Sequence, residues 1–234
     1  QGLRDADGCS AAWVVPLCDL CGRSDRAIGR GARWHVSQFG VDAGASPEQR
    51  TAVALALNVL TDLGAKVEEM VLPPLQDFTD CFLLLMLSEA YTLHADAVLH
   101  DADMSRNTRV RLQGGAQIDA DSVKRAKMRL AHLEHMVAPI WTRIDALVFE
   151  VVPGDPPLIE TIHPLDYLKA PMLAVPANLL NTPSLAIRCG TSQAGLPIGL
   201  QILGPRFGDR TVLRIGHAYE QAVGHSGKPV EPVQ

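Results

Sequence analysis

The sequence NLLNTPSLAIRCG occupies residues 178–190, and after four further residues GLPIGLQILGP occupies residues 195–205. Each segment contains a run rich in Leu, Ile and Ala that is bounded by Gly, Pro or Asn, which is typical of a strand. We therefore predict strands at Pro183–Arg188 and Leu196–Leu203, joined as a hairpin through Gly190–Gly195. Both strands are apolar at nearly every position, as strands are when both faces of the sheet are covered.

The chain on either side of this hairpin alternates helical and extended patterns. Ser46-Pro47-Glu48-Gln49 has the serine, the first-turn proline and the glutamine of a capping box, and it predicts a helix that stops at Gly64. Further strands are predicted at 32–41, 66–72 and 145–152, and further helices at 78–99, 119–141, 170–180 and 209–223, with 100–117 as a loop or a broken helix. The predicted fold class is α/β, with a mixed β-sheet flanked by helices.

The composition excludes several classes of protein. The 234 residues are 47% hydrophobic and 20% charged, as in an ordinary globular domain. Lys and Arg number 21 against 26 Asp and Glu, so the chain lacks the basic surface that nucleic acid requires. The longest unbroken apolar run, Phe82 to Leu87, is far shorter than the roughly 20 residues that cross a bilayer. We expect no nucleic-acid partner and no membrane span.

The cysteines indicate a reducing compartment and no structural metal. They are Cys9, Cys18, Cys21, Cys81 and Cys189, an odd number at low density, which argues against a secreted disulfide scaffold and favours the cytoplasm. Cys18 and Cys21 have the spacing of half a zinc knuckle, but no second Cys or His pair follows at the usual distance. We therefore expect no metal and no cofactor.

The two segments of the hairpin together resemble the carboxyl-terminal part of the amidase signature family. In that family Asn-Leu-x-Gly-x-Pro leads into Pro-Cys-Gly, and Gly-Leu-Pro-x-Gly-Leu-Gln leads into Gly-Pro. The later sequence HAYEQ at residues 217–221 is similar to the family's closing Ala-His-Ala-Tyr-Glu-Gln, with Gly216 in place of the first Ala. The resemblance divides the chain into an irregular entry segment (1–32), the carboxyl-terminal part of an amidase-signature domain (33–225) and a tail (226–234).

The resemblance implies an amide hydrolase whose catalytic residues are absent from this chain. Family members use a Lys, a Ser in a cis peptide and a nucleophilic Ser, and both Ser residues lie in a Gly/Ser-rich stretch before the region matched here. No Gly-Gly-Ser-Ser occurs in this sequence, and no Lys matches the catalytic base. The Lys residues are Lys66, Lys124, Lys127, Lys169 and Lys228. The chain begins at Gln1, so we expect it to be a fragment of a longer reading frame.

A missing amino-terminal half has a structural consequence. The resemblance implies that neighbouring strands and some covering helices come from that half. Helices of this chain could cover one face of the sheet, and we expect the isolated chain to expose an apolar patch and an unpaired strand edge.

The family resemblance also implies where a substrate would lie. Family members shape the cavity partly with the loop after a strand that usually reads Thr-Pro-Thr, whereas this chain has bulkier and more apolar residues there. That difference favours an apolar acyl or amine group. The predicted pocket residues are Arg111, Phe149, Glu150, Val151, Val152 and Cys189. The alternative is that Phe149 and Val151 are core strand residues and that Cys189 is a small buried hydrophobe.

A local hydrolase triad is a weaker alternative. Ser192, His217 and Asp209 supply the right residue types, and triads are recognised by geometry rather than by order along the chain. The chain has no Gly-x-Ser-x-Gly nucleophile elbow, and Ser192 lies in the predicted hairpin loop. We therefore predict no catalytic residue in this chain.

Three functions remain open at this point. The first is the carboxyl-terminal, substrate-shaping part of an amidase that acts on a small-molecule amide, with a homodimer left open. The second is a noncatalytic remnant or binding subunit. The third is a relative of the A subunit of the glutamine-dependent aminoacyl-tRNA amidotransferase. In that branch an acidic residue is expected two positions before the Leu-x-Ile-Pro-x-Asn run, where this chain has Pro171, which counts against glutamine.

Overall fold

The computed structural model describes residues 45–100, 103–161 and 172–224, together with the backbone of 33–37. The elements are β1 Arg33–Ser37, α1 Pro47–Asp62, β2 Lys66–Met70, α2 Leu75–Leu99, α3 Arg106–Gly115, α4 Ala120–Val137, β3 Ala146–Glu150, α5 Val175–Leu180, β4 Ser184–Thr191, β5 Pro197–Leu203 and α6 Asp209–Val223. Short 3-10 helices occupy Ala138–Thr142 and Ile159–Thr161. The predicted α/β class is confirmed.

The described strands form one mixed sheet. Their order is β2-β1-β3-β5-β4. Strand β1 runs parallel to β2 and β3, whereas β5 runs antiparallel to β3 and β4. The predicted hairpin joins β4 to β5, and the Ser192 amide donates to the Leu196 carbonyl at 2.8 Å in its turn. The carboxyl ends of β1, β2, β3 and β4 therefore lie at one edge of the sheet.

Helices cover both faces of this sheet. Helices α1 and α6 enclose one core, which includes Leu60, Val148, Leu200, Ile202 and Tyr219. Helices α2, α4 and α5 enclose the other, which includes Phe78, Leu133, Leu147, Phe149 and Leu203. Successive residues of β3 point to alternate cores and all five are buried. Helices of this chain thus cover both faces of the described sheet, although the family resemblance led us to expect that some covering helices come from a missing amino-terminal half.

Local sequence signals set most helix boundaries. The capping box of α1 is confirmed: the Ser46 Oγ accepts from the Gln49 amide at 3.2 Å, and the Ser46 amide donates to the Gln49 Oε1 at 2.9 Å. Helix α6 has the predicted bounds. Within 100–117 the broken-helix alternative is the correct one, because α3 begins after Ser105, whose Oγ accepts from the Thr108 amide at 3.1 Å.

Two helices are shorter than predicted. The helix expected over 119–141 is α-helical only to Val137, and a 3-10 helix follows in which Pro139 lacks the N–H that another α-helical turn needs. The helix expected over 170–180 is described from Val175, and residues 162–171 lie outside the described residues. It ends at Asn181, whose left-handed φ of 51° stops the helix.

Helix α2 is long and only partly covered. Its first half contributes Phe78, Cys81 and Leu85 to the core, as predicted, whereas Leu93 and Leu99 are 79% and 69% exposed. By length and composition this one helix among the described residues would suffice to cross a membrane. A single helix of this kind is weak evidence for a membrane protein, because helices of soluble proteins pass the same test.

Candidate functional site

Most of the predicted pocket residues lie at the carboxyl edge of the parallel strands. Glu150 ends β3, Val151 and Val152 follow it, and Cys189 lies at an irregularity near the end of β4. Open α/β sheets bind ligands outside the carboxyl ends of their strands, so this edge is the natural candidate. Arg111 is placed elsewhere, exposed on α3, which packs against α2.

Burial separates these residues further. Phe149 is fully buried in the core under α2 and α4, and Glu150 is only 5% exposed. Val151 is half-buried, and its amide donates to the Gly199 carbonyl of β5 at 3.3 Å. Val152 is 56% exposed. Among the predicted pocket residues 149–152, Val152 thus exposes the most apolar surface, and Phe149 occupies the core position that the alternative interpretation gives it.

A buried amide from α1 holds the loop that contains Val152. The Gln49 Nε2 donates to the Val152 carbonyl at 2.9 Å and to the Gly154 carbonyl at 3.0 Å. The Gln49 Oε1 accepts from the Gly154 amide at 2.6 Å and from the Ser46 amide at 2.9 Å. These four bonds use both donors and both acceptor positions of the side chain, which is 5% exposed. The 152–154 loop is therefore fixed to the start of α1.

The same end of α1 also contacts the β4–β5 hairpin. The Glu48 Oε2 accepts from the Gln193 amide at 3.0 Å. A Cβ placed on Gly190 of β4 would lie 2.9 Å from the Cβ of Ala52, so the absence of a side chain there allows α1 to approach the strand. One helix end thus positions both loops at the candidate edge.

Burial raises the pKa of two ionisable groups behind this edge. Burial raises the pKa of the Glu150 carboxyl, and the charge of Arg50 opposes that effect only in part. Burial, together with the nearby Glu150, raises the pKa of the Cys189 thiol to about 12. A thiol of that pKa is not a nucleophile at neutral pH. This raised pKa favours the interpretation of Cys189 as a small hydrophobe.

The geometry gives Ser192 a turn role. Its side chain is buried, its Oγ accepts from the Leu196 amide at 3.3 Å, and its carbonyl accepts from the Gly195 amide at 2.9 Å. His217 lies on an exposed position of α6. These contacts support the interpretation of Ser192 as a loop residue rather than a nucleophile.

One buried polar group near the site has no partner among the described residues. Gln201 is 1% exposed, and its Nε2 donates no hydrogen bond to any described group. It lies opposite Phe149 on the neighbouring strand, in an apolar environment.

The described residues contain no cluster of three or more His, Cys, Asp or Glu side chains that would hold a metal. Cys18 and Cys21, for which we predict no metal, lie outside the described residues. The absence of metal, cofactor and catalytic residues stays a prediction.

Gln49 is the site residue that the sequence did not reveal as such. The sequence pattern of residues 46–49 predicted that Gln49 completes a helix cap, and that role is confirmed. Its partners in the loop lie 103 and 105 residues further along the chain, so no local pattern relates them. The available signal was the choice of Gln at the third helical position, where Glu caps equally well but offers no donor.

Known proteins resemble the chain over most of its length. The family model described as Amidase matches residues 32–213. The A subunit of the glutamyl-tRNA(Gln) amidotransferase of Brevibacillus brevis is 29% identical over 88% of this chain and 47% of its own length. The corresponding protein of Geobacillus thermodenitrificans is 31% identical over 80% of this chain and 44% of its own. The chain spans about half the length of the curated relatives it matches.

Solved structures share the fold. A crystal structure described as an amidase has a TM-score of 0.72 and 25% identity, covering 82% of this chain and 46% of its own. The S177A allophanate hydrolase of Kluyveromyces lactis has a TM-score of 0.74 at 19% identity, covering 84% of this chain and 33% of its own.

Proposed function

Because the chain belongs to the amidase family, we propose that it is the carboxyl-terminal, substrate-shaping part of an amide-hydrolysing enzyme. The catalytic Lys and the two Ser residues belong, in this proposal, to a part of the enzyme outside this chain. The observation that carries the proposal is the loop 152–154. It lies at the carboxyl edge of the parallel strands, it is held by the buried Gln49 amide, and it presents Val152 to solvent.

The proposed substrate is a small-molecule amide with an apolar acyl or amine group. Val152 would contact that group, while Phe149 and Glu150 support the loop from behind and Cys189 adds apolar bulk. In a hydrophobic pocket, one methylene group more or less discriminates between substrates by about 10–200-fold. The reaction needs no metal or cofactor in this proposal, and we place the enzyme in the cytoplasm.

Activity measurements on two samples test the proposal. The purified chain, incubated with a panel of aryl and aliphatic amides, should release no product above a heat-treated control, because in this proposal the base and the nucleophile that amide hydrolysis requires belong to another part of the enzyme. The intact native polypeptide, expected at about twice the mass of this chain given its share of its relatives, should hydrolyse members of the same panel.

Two results would contradict the proposal. Turnover by the chain alone that survives Lys→Ala changes but disappears with Ser192→Ala would assign the chemistry to a local triad. A native polypeptide of the mass of this chain that hydrolyses no amide would identify a noncatalytic binding subunit.

A second candidate is an amidotransferase subunit that releases ammonia from glutamine. It is favoured by the two amidotransferase relatives, which are 29% and 31% identical to this chain. Pro171 stands where we expect an acidic residue in that branch, which favours a simple amide instead. Comparing glutamine with an aryl amide as substrates of the native polypeptide separates the two candidates.

A further inference from the structure

Gln49 has more hydrogen bonds than a helix cap requires. A capping box needs only an acceptor at this position, since the residue receives the amide of the cap residue. The Gln49 Oε1 fulfils that role with Ser46 and also accepts from the Gly154 amide. The Nε2 donates to the Val152 and Gly154 carbonyls, and neither bond contributes to the cap.

The hydrogen-bond network determines the orientation of the amide. The Nε2 faces two carbonyl oxygens, and the Oε1 faces two backbone N–H groups. Exchanging the two atoms would place oxygen against oxygen and donor against donor at all four contacts. A carboxylate at this position would keep the two accepted bonds and would lose both donated ones, with its charge directed at two carbonyls.

We propose that Gln49 is a positioning residue that sets the shape of the substrate-facing loop and, through Val152, the enzyme's preference for apolar amides. The bonds at Val152 and Gly154 hold the backbone on both sides of Pro153, so the backbone that carries the exposed Val152 side chain is fixed. This inference rests on the proposed function, because it assigns the loop to the wall of the substrate cavity.

Three variants separate the two roles of Gln49. One role is the pair of hydrogen bonds that its Nε2 donates to the 152–154 loop, here called the loop clamp, and the other is the helix cap. Gln49→Glu keeps the capping box and removes both donors to the loop. Gln49→Ala removes the clamp and the acceptor of the Ser46 amide, whereas the bond from the residue-49 amide to the Ser46 Oγ remains. Glu48→Ala is the matched control: it removes the neighbouring bond from α1 to the Gln193 amide and leaves Gln49 intact.

Hydrogen exchange followed by mass spectrometry on the chain gives the first readout. In Gln49→Glu the amides of residues 151–158 should exchange about tenfold faster, while those of residues 46–52 keep their rates, because two donated bonds are lost and the cap remains. Gln49→Ala should accelerate exchange of residues 151–158 and also of the Ser46 amide, which loses its acceptor. Glu48→Ala should leave residues 151–158 unchanged.

Kinetics of the native polypeptide give the second readout. Gln49→Glu should raise KM for amides with apolar groups about tenfold and change kcat less than about twofold, because the loop contributes binding rather than chemistry. Faster loop exchange without a change in KM would overturn the role of Gln49 in substrate preference. Unchanged loop exchange would overturn the clamp itself. If no form hydrolyses an amide, the proposed function and the substrate role of Gln49 fail together, and the exchange data still decide whether Gln49 holds the loop.

Discussion

The two helix layers of this protein differ in how completely they bury their apolar side chains. In the layer of α1 and α6, one large apolar side chain of the described helical residues, Leu55, is more than half exposed. In the layer of α2, α3 and α4, Leu93, Leu99 and Met128 are all exposed to that degree. The first layer therefore matches its apolar stripe to its core, whereas the second carries more apolar surface than the described chain covers.

The layers are also tied to the rest of the molecule differently. Helix α1 bonds through Gln49 and Glu48 to loops more than a hundred residues away. Helices α2 and α4 share an ion pair between Asp77 and Arg129, both partly exposed, and an exposed pair of this kind contributes little to stability. The comparison indicates that α1 is fixed to distant loops by hydrogen bonds of a buried side chain, whereas α2 and α4 are joined by a partly exposed ion pair and by apolar packing.

The largest expected effect comes from truncating equally buried leucines in the two layers. Leu60 in α1 and Leu133 in α4 are 0% and 1% exposed. Each Leu→Ala change should lower the free energy of unfolding by about 2–5 kcal/mol, and we expect the larger loss for Leu60→Ala because its layer leaves fewer large apolar side chains exposed. Urea unfolding followed by circular dichroism measures both. A larger loss for Leu133→Ala would reverse the comparison of the layers.

The next effect concerns the contact of α3 with α2. A Cβ on Gly115 would lie 2.1 Å from the Leu87 carbonyl oxygen, whereas a Cβ on Gly114 would meet nothing within 4 Å. Gly115→Ala should therefore cost about 1–3 kcal/mol, since backbone must move. Gly114→Ala, the control, should gain up to about 1 kcal/mol from helix propensity. Equal stabilities in urea would mean that α3 does not pack as described.

A third prediction concerns Glu150, at the candidate edge of the sheet, and the pH dependence of its effect on the free energy of unfolding. Because burial raises the pKa of Glu150 above its ordinary value of 4.5, the folded state loses stability as pH rises from 4.5 through the raised pKa. Glu150→Gln should therefore be more stable than the unmodified chain at neutral pH, by an amount on the order of 1 kcal/mol, with the difference vanishing below pH 4.5.

Thermal unfolding at several pH values tests this expectation, with the exposed Glu160→Gln as the control. A Glu150→Gln variant that is less stable at neutral pH would show that the carboxylate is needed as a partner for Arg50.

The smallest effect on stability is expected at the exposed part of α2, where substitutions should instead change dye binding and self-association. Leu93→Glu combined with Leu99→Glu should change the free energy of unfolding by less than about 0.5 kcal/mol each, as exposed positions usually do. The pair should reduce both hydrophobic-dye binding and self-association in sedimentation. Leu55→Glu in α1 is the control, since that leucine is 59% exposed but isolated. Dye binding that falls equally in both would remove the distinction between the layers.

Much of the secondary structure was predictable because its signals are local. The capping box at Ser46, the end of α6 and the strands of the hairpin all depend on a few consecutive residues, and the structure confirms them. The helix α3 was predicted only as one of two alternatives, because its sequence is polar and its Ser105 cap precedes no apolar run.

The candidate site was predictable only in part, for the same physical reason. The family resemblance predicted residues 149–152 as part of the substrate pocket, and the sheet brings Glu150 near Cys189. Whether each side chain faces a core or solvent depends on which helices cover the sheet. That is why Phe149 proves fully buried while Val152 is exposed.

By itself, the sequence determined the α/β class, the hairpin and the helix caps, because hydrophobic period and turn residues act over a few positions. Only the tertiary structure decided that both faces of the sheet are covered by this chain and that the Gln49 side chain holds the loop after β3. Both features depend on contacts between residues that lie far apart in the sequence, more than a hundred positions in the case of Gln49. A buried amide finds such partners only after the chain between them has folded.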